Sequence, residues 1–280
     1  MTNNNKKILS IQDISCFGQC SLTVALPVLS ALGIETAVIP TAVLSTHTGP
    51  MFNNYTFHDL TEEMPLIRKH WEEYNIKFDA VYSGYLGSSR QIDYVLDLFH
   101  SCKENGSLLF VDPVMGDGGK FYNGFDENFA KLMKSYCSHA DVITPNITEA
   151  VFLNEKNDFK DYYTKSEIKD LTKSLVCCDN QKVIVTGIPH SENVLFVSSY
   201  DSEKDEFNIV EQELINGTYH GTGDIFASVC FGLLLKGKNL DSAVWAASDF
   251  VEKAIKNTPD HITHNYGVHF EGCLKELCEY

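Results

Sequence analysis

Apolar runs of strand length alternate with amphipathic stretches of helix length along most of the chain. Residues 8–14, 36–39, 80–83, 108–111, 142–144 and 183–186 are short and rich in apolar side chains, as strands covered on both faces are. Between them, residues 21–32, 61–74, 88–103, 126–136 and 166–177 read as helices, each long enough to cross over between parallel strands. After Thr186 the alternation stops. Residues 194–199 and 207–214 read as two more strands around the polar stretch 200–206, which predicts a hairpin. Helices resume at 222–235, 240–256 and 268–277, and the polar, charged segment 154–165 reads as a surface loop. No repeat, low-complexity tract or Pro/Gly/Ser linker interrupts the pattern, so the expectation is one α/β domain over residues 1–280 with a central, mostly parallel sheet.

In such sheets ligands bind beyond the carboxyl ends of the strands, and the chemistry-bearing residues cluster there. Gly221-Thr222-Gly223-Asp224 stands directly before the apolar helical face Ile225, Val229 and Leu233. A glycine-rich helix start exposes N–H groups with partial positive charge, an anion hole suited to a phosphoryl group in transfer. Asp224 in the first turn is then a candidate base, although glycines that only turn the chain and an Asp that only stabilises the helix start explain the same residues.

Asp112-Pro113-Val114-Met115-Gly116-Asp117 follows the strand at 108–111, and two carboxylates around a turn can hold Mg²⁺ directly or through its waters. The plain alternative is a turn in which Asp and Gly are simply tolerated. Thr144-Pro145-Asn146-Ile147-Thr148-Glu149 follows another strand, and the spacing of Asn146 and Glu149 is also that of a capping box. Two small-residue patches, Ser45-Thr46-His47-Thr48-Gly49 and Ser83-Gly84-Tyr85-Leu86-Gly87, suit a pocket that packs on a flat ligand and bonds its edges.

Charge and cysteine content narrow the classes. With 22 basic against 38 acidic residues the formal charge is −16, which disfavours binding to a phosphate backbone, so no nucleic-acid partner is expected. With 44% hydrophobic and 21% charged residues the chain can bury a core. No run of about 18 apolar residues is present, and the polar start MTNNNKK lacks the features of a signal peptide; a soluble, cytoplasmic protein is expected. The nine cysteines form no CxxC pair and read as reduced thiols. GxxxxGK[ST], GxGxxG after the first strand, GxSxG and HExxH are absent.

Taken in order, Ile11-Gln12, Ser45 to Gly49, Ser83 to Gly87, Asp112 to Asp117, Thr144-Pro145-Asn146 with Glu149, and Gly221 to Asp224 resemble the pyridoxal kinases of the ribokinase-like superfamily, on the short bacterial-type pattern. The resemblance implies a Rossmann-like three-layer α/β/α fold and phosphoryl transfer from ATP to the 5′-hydroxymethyl of pyridoxal, pyridoxamine or pyridoxine. It implies Mg²⁺, with a monovalent cation such as K⁺ as a further candidate, and a homodimer. On this resemblance Asp224 is the base and Gly221, Thr222 and Gly223 form the anion hole; Asp112, Asp117 and Glu149 organise the metal. Asp112, Thr144, Asn146 and Thr186, with Gly221 and Gly223, serve the nucleotide, and Asp13, Ser45, His47, Thr48 and Tyr85 serve the vitamer.

One departure stands out: the family usually has Ser after the Ile-Gln of the first strand, and this chain has Asp13. Facing the ring, Asp13 would favour a protonated ring nitrogen or the ammonium of pyridoxamine; turned away, it would bond the following loop. Hydroxymethylpyrimidine kinases share the GTGD block but open with a GSDxSGGAG-like segment that residues 12–19 do not resemble. Sugar and nucleoside kinases of the superfamily carry an N-terminal Gly-Gly, whereas the Gly-Gly here is Gly118-Gly119. A non-catalytic vitamer-binding protein on the same fold is a further alternative.

Overall fold

The computed structural model describes residues 6–49, 51–155, 159–259 and 264–280; the first five residues and the centre of the 154–165 segment lie outside them. Among the described residues the strands are β1 (Lys7–Ser15), β2 (Glu35–Leu44), β3 (Phe57–Asp59), β4 (Phe78–Ser83), β5 (Lys103–Val111), β6 (Gly116–Asp117), β7 (Lys120–Phe121), β8 (Val142–Ile143), β9 (Lys182–Ser191), β10 (Val194–Asp201) and β11 (Glu206–Glu213). Nine form one sheet in the order β11-β10-β9-β8-β5-β4-β1-β2-β3, and β6 and β7 form a separate ribbon. From β9 to β2 all neighbours are parallel; β3, β10 and β11 are antiparallel additions at the two edges.

Alternation along each strand sends side chains into two cores. Ile8, Tyr82, Phe110 and Ile184 join the first, while Leu9, Val81, Val111 and Val183 join the second. The first core is covered by α1 (Leu22–Ala31), α7 (Thr222–Leu235), α8 (Leu240–Asn257) and α9 (Leu274–Leu277). The second is covered by α2 (Glu63–Glu73), α3 (Ser89–Cys102), α4 (Glu127–Cys137), α5 (Ile147–Leu153) and α6 (Lys165–Ser174). The result is the three-layer, mostly parallel α/β arrangement expected from the sequence. Helix α7 packs against both α1 and α8, which explains why Ile225 to Leu233 are buried all round instead of along one stripe.

Several elements differ from the sequence reading. The strand at 36–39 runs on through Pro40 to Leu44; β3 pairs only with Ala42 to Leu44, so β2 has no outer neighbour at the proline. The helix expected at 268–277 is a 3₁₀ turn, Glu271–Cys273, followed by the four residues of α9, because Val268 and Phe270 are buried in irregular chain beforehand. Helix α5 was not expected, nor were the short pairs made by β3, β6 and β7. The hairpin is present as β10 and β11, with strands that extend into the polar stretch. All nine cysteines are free thiols, and no helix is long and apolar enough to cross a membrane among the described residues.

Candidate active site

The parallel ladder continues past the strand ends and lines up the candidate residues along one edge. Gly84 N–H donates to Ile11 O (3.0 Å), Asp112 N–H to Ser83 O (2.9 Å), Thr144 N–H to Val111 O (3.0 Å) and Thr186 N–H to Pro145 O (3.1 Å). Thr144 therefore lies just beyond β8, and Thr186 lies inside β9. The sheet reverses its order of addition between β4 and β1, the crevice where open α/β sheets bind ligands.

Gly221 sets the start of α7 over this edge. It adopts φ 83°, and a Cβ there would lie 1.8 Å from the carbonyl oxygen of Gln19, so glycine is required for both the turn and the close approach. At Gly223 a Cβ would meet nothing within 4 Å, which leaves the N–H groups of the first turn open to a ligand. Thr222 turns its hydroxyl back onto Tyr219 O (3.3 Å). Asp224 is partly buried; desolvation raises its pKa to about 7, helped by the charge of Asp13 and opposed by a hydrogen bond from the backbone N–H of Ser21.

Asp112, buried at the end of β5, has its pKa raised by desolvation and by the charges of Glu149 and Asp224. Glu149 is buried too, and desolvation lifts it to about 8 although backbone N–H groups of Asn146, Met115 and Gly116 hold it down. Its Oε1 accepts from Met115 N–H (3.0 Å) and its Oε2 from Asn146 N–H (2.9 Å). Asn146 completes the capping box of α5 and donates its amide to Gly116 O (2.8 Å). Asp117 is exposed in the β6–β7 turn, where it accepts from Gly118 N–H (2.7 Å). The Thr144 hydroxyl is buried with no partner.

Among the described residues no three His, Cys, Asp or Glu side chains form a ready metal cage. Asp112 with the Thr144 hydroxyl is nonetheless an all-oxygen donor set, the kind Mg²⁺ takes when substrate phosphates and waters complete its shell. The donors fit a hard cation, with Asp112 the carboxylate whose oxygens are not tied to backbone.

Around the opposite lip, His47 is wedged between Gly18 and Gly49. Its Nδ1 accepts from Gly49 N–H (2.9 Å), so the neutral ring carries its proton on Nε2, which is buried without a partner. Burial and the neighbouring His220 push its pKa down to about 4. Tyr85 meets Phe125 at a tilt (centroids 5.8 Å apart), and burial and the charge of Asp13 raise its hydroxyl to about 12. The remaining two vitamer candidates are less engaged: Ser45 accepts from Thr56 N–H (2.9 Å), closing the β2–β3 turn, and Thr48 is exposed. Asp13 turns its carboxylate toward the hydroxyls of Ser15, at the end of β1, and Ser21, just before α1.

Two residues were missed by sequence reasoning. His220 immediately precedes Gly221, lies 4.8 Å from His47 ring to ring, and feels the charge of Asp117, so it joins the two lips of the site. Its position beside the glycine motif was the signal. Ser21 adopts φ 49°, which no sequence pattern announces.

A glycine-opened helix start and buried carboxylates at the edge of a parallel, three-layer sheet define an enzyme of the kinase class with the ribokinase-like fold. Residues 26–269 match the family model described as phosphomethylpyrimidine kinase, and the chain belongs to that family. Within it, the chain is similar to the pyridoxal kinase of Actinobacillus pleuropneumoniae, 26% identical over 94% of this chain and 91% of that one. Among solved structures it is similar to a Bacteroides thetaiotaomicron protein named as a candidate phosphomethylpyrimidine kinase and crystallised with pyridoxal. That protein has a TM-score of 0.91 and 36% identity, over 98% of this chain and 96% of that one. The pyridoxal kinase of Lactobacillus plantarum has a TM-score of 0.87 and 28% identity, over 98% and 97%.

Proposed function

We propose that this protein transfers the γ-phosphoryl group of ATP to the 5′-hydroxymethyl group of a vitamin B6 vitamer, giving the 5′-phosphate and ADP. The observation that carries this reading is the likeness over nearly the whole chain to a protein crystallised with pyridoxal. The site agrees chemically. Asp224, at the start of α7, accepts the hydroxyl proton as the new O–P bond forms and the bond to the leaving phosphate breaks. The open N–H groups around Gly223 stabilise the oxygens of the group in flight.

The divalent metal in this reading is Mg²⁺, held by Asp112 with Asp117 and Glu149 acting through water; it supplies positive charge where phosphate charge accumulates. K⁺ is the monovalent candidate. Thr144, Asn146 and Thr186 flank the phosphates, while Asp112 and Glu149 place buried carboxylates at the metal end. Ser45, His47, Thr48 and Tyr85 shape the vitamer end. The chain works as one domain, in a cytoplasmic homodimer, and light scattering on the purified protein checks the assembly.

A panel of pyridoxal, pyridoxamine, pyridoxine and hydroxymethylpyrimidine with Mg-ATP, read by mass of the phosphorylated product, tests the proposal. Turnover of at least one vitamer above the pyrimidine is expected. The family model's description favours the pyrimidine as a second reading, and preference for it in that panel would replace the first.

A further inference from the structure

Ser21, the residue before α1, is held on every side. Its backbone adopts φ 49° and ψ −131°, a conformation that residues with a side chain rarely take. Its carbonyl accepts from Val24 N–H (3.0 Å) and Ala25 N–H (2.9 Å), and its hydroxyl donates to Asp13 Oδ1 at 2.5 Å. Its backbone N–H lowers the pKa of the Asp224 carboxylate, and its loop packs on the start of α7, where a Cβ on Gly221 would lie 1.8 Å from Gln19 O. Asp13 is 6% and Ser21 7% exposed, and the other Asp13 oxygen accepts from Ser15 Oγ at 3.2 Å. The β1–β2 register slips between Gln12 and Ile14, an irregularity of the kind that re-aims the residue it contains.

Folding alone does not call for this pair. Glycine would adopt φ 49° without strain, and a neutral residue at position 13 would avoid burying a carboxylate. Both liabilities fall beside Asp224, and strain of this kind collects at functional sites. We propose that Asp13 and Ser21 are a positioning pair: Asp13 fixes the Ser21 hydroxyl, and so fixes the peptide whose N–H aims the Asp224 carboxylate at the acceptor hydroxyl. Asp13 thereby acts on the reaction through the base and not on the charge of the vitamer ring. This inference rests on Asp224 being the base.

Ser21→Gly tests it, since glycine keeps the N–H and suits the backbone while removing the tether. Its kcat is expected to fall about tenfold or more, as small misplacements of a reacting group do, with KM for ATP and for pyridoxal within about twofold of wild type. Ser21→Ala, which keeps a side chain at the strained position, should show the same kcat loss; thermal melts of both confirm that the protein measured is folded. Asp13→Ala should lose a similar factor, and Asp13→Ala combined with Ser21→Gly should lose no more than either alone. A kcat within about twofold of wild type in folded Ser21→Gly, a loss confined to KM, or single losses that multiply in the double variant would each overturn the proposal. Near-normal turnover in Asp224→Asn would instead remove the base reading, whatever the serine variants show.

Discussion

Asn146 and Glu149 bond to each other's backbone: Asn146 Oδ1 accepts from Glu149 N–H at 2.9 Å, and Glu149 Oε2 accepts from Asn146 N–H at 2.9 Å. The second Glu149 oxygen reaches across to Met115 N–H, which ties the start of α5 to the loop after Asp112. Glu149 is thus a structural brace for the loop that carries Asp112 and Asp117. Glu149→Ala removes two buried acceptors and is expected to cost about 2–4 kcal/mol in urea unfolding. Asp112→Asn, by contrast, should leave stability nearly unchanged or raise it while increasing the Mg²⁺ concentration needed for half-maximal rate. Wild-type stability in Glu149→Ala would refute the bracing role.

Asp224 couples activity to stability in opposite senses. Its folded pKa, about 7, lies above the ordinary 3.8. Folding therefore favours the protonated form; the associated stability is present below the unfolded value and is lost as pH rises through about 7. The ionised form needed for proton acceptance prevails above that point, so kcat should climb on the acid side of pH 7. Asp224→Asn is expected to lose 10²–10⁴-fold in kcat with little change in KM for ATP. It should also melt higher than wild type at pH 8, with the gap closing by pH 4. A variant no more stable than wild type at pH 8 would count against the buried-charge account.

The fold was legible where period alone decides. The apolar strands and the amphipathic crossovers gave the parallel centre of the sheet; Asp112, Thr144 and Thr186 gather where its parallel ladder runs out, and the start of α7 sets Asp224 over that edge. Short pairings were not legible, since a three-residue strand such as β3 forms only once β2 offers its edge. Helix α5 was hidden by its seven-residue length even though its capping box was visible. The site was readable as residue types and unreadable as roles. The sequence could not show that Asp13 bonds Ser15 and Ser21, because those contacts depend on a loop that turns through Ser21 at positive φ.

His47 fills the space that two glycines leave. A Cβ at Gly49 would lie 2.3 Å from His47 Cε1, and one at Gly18 would lie 2.4 Å from Cδ2. Gly49→Ala should therefore displace the ring, break its contacts with Phe52 and His220, and raise KM for the vitamer more than it lowers kcat. Overpacking of this kind costs about 1–3 kcal/mol. Combining it with His47→Ala should recover much of that stability. If the double variant melts no higher than Gly49→Ala alone, the clash is not with His47.

Gly221 and Gly223 separate folding from phosphate binding within one motif. Gly221→Ala places a methyl 1.8 Å from the Gln19 carbonyl at φ 83°, so the loop after β1 or the start of α7 must move. Loss of several kcal/mol, or failure to fold, is expected, because both the clash and the positive φ oppose a side chain. Gly223→Ala meets no protein atom within 4 Å and lies at the start of a helix, where alanine is well tolerated. Its melting temperature should match wild type. If the first turn of α7 is the anion hole, however, the added methyl occupies the approach of the phosphoryl group, and kcat/KM for ATP should fall by about tenfold or more, a loss of about 1.4 kcal/mol in transition-state stabilisation. Full activity in Gly223→Ala would show that the phosphoryl group is held elsewhere, whereas loss of activity with an unchanged melt assigns the open N–H groups of α7 to the transferred phosphate.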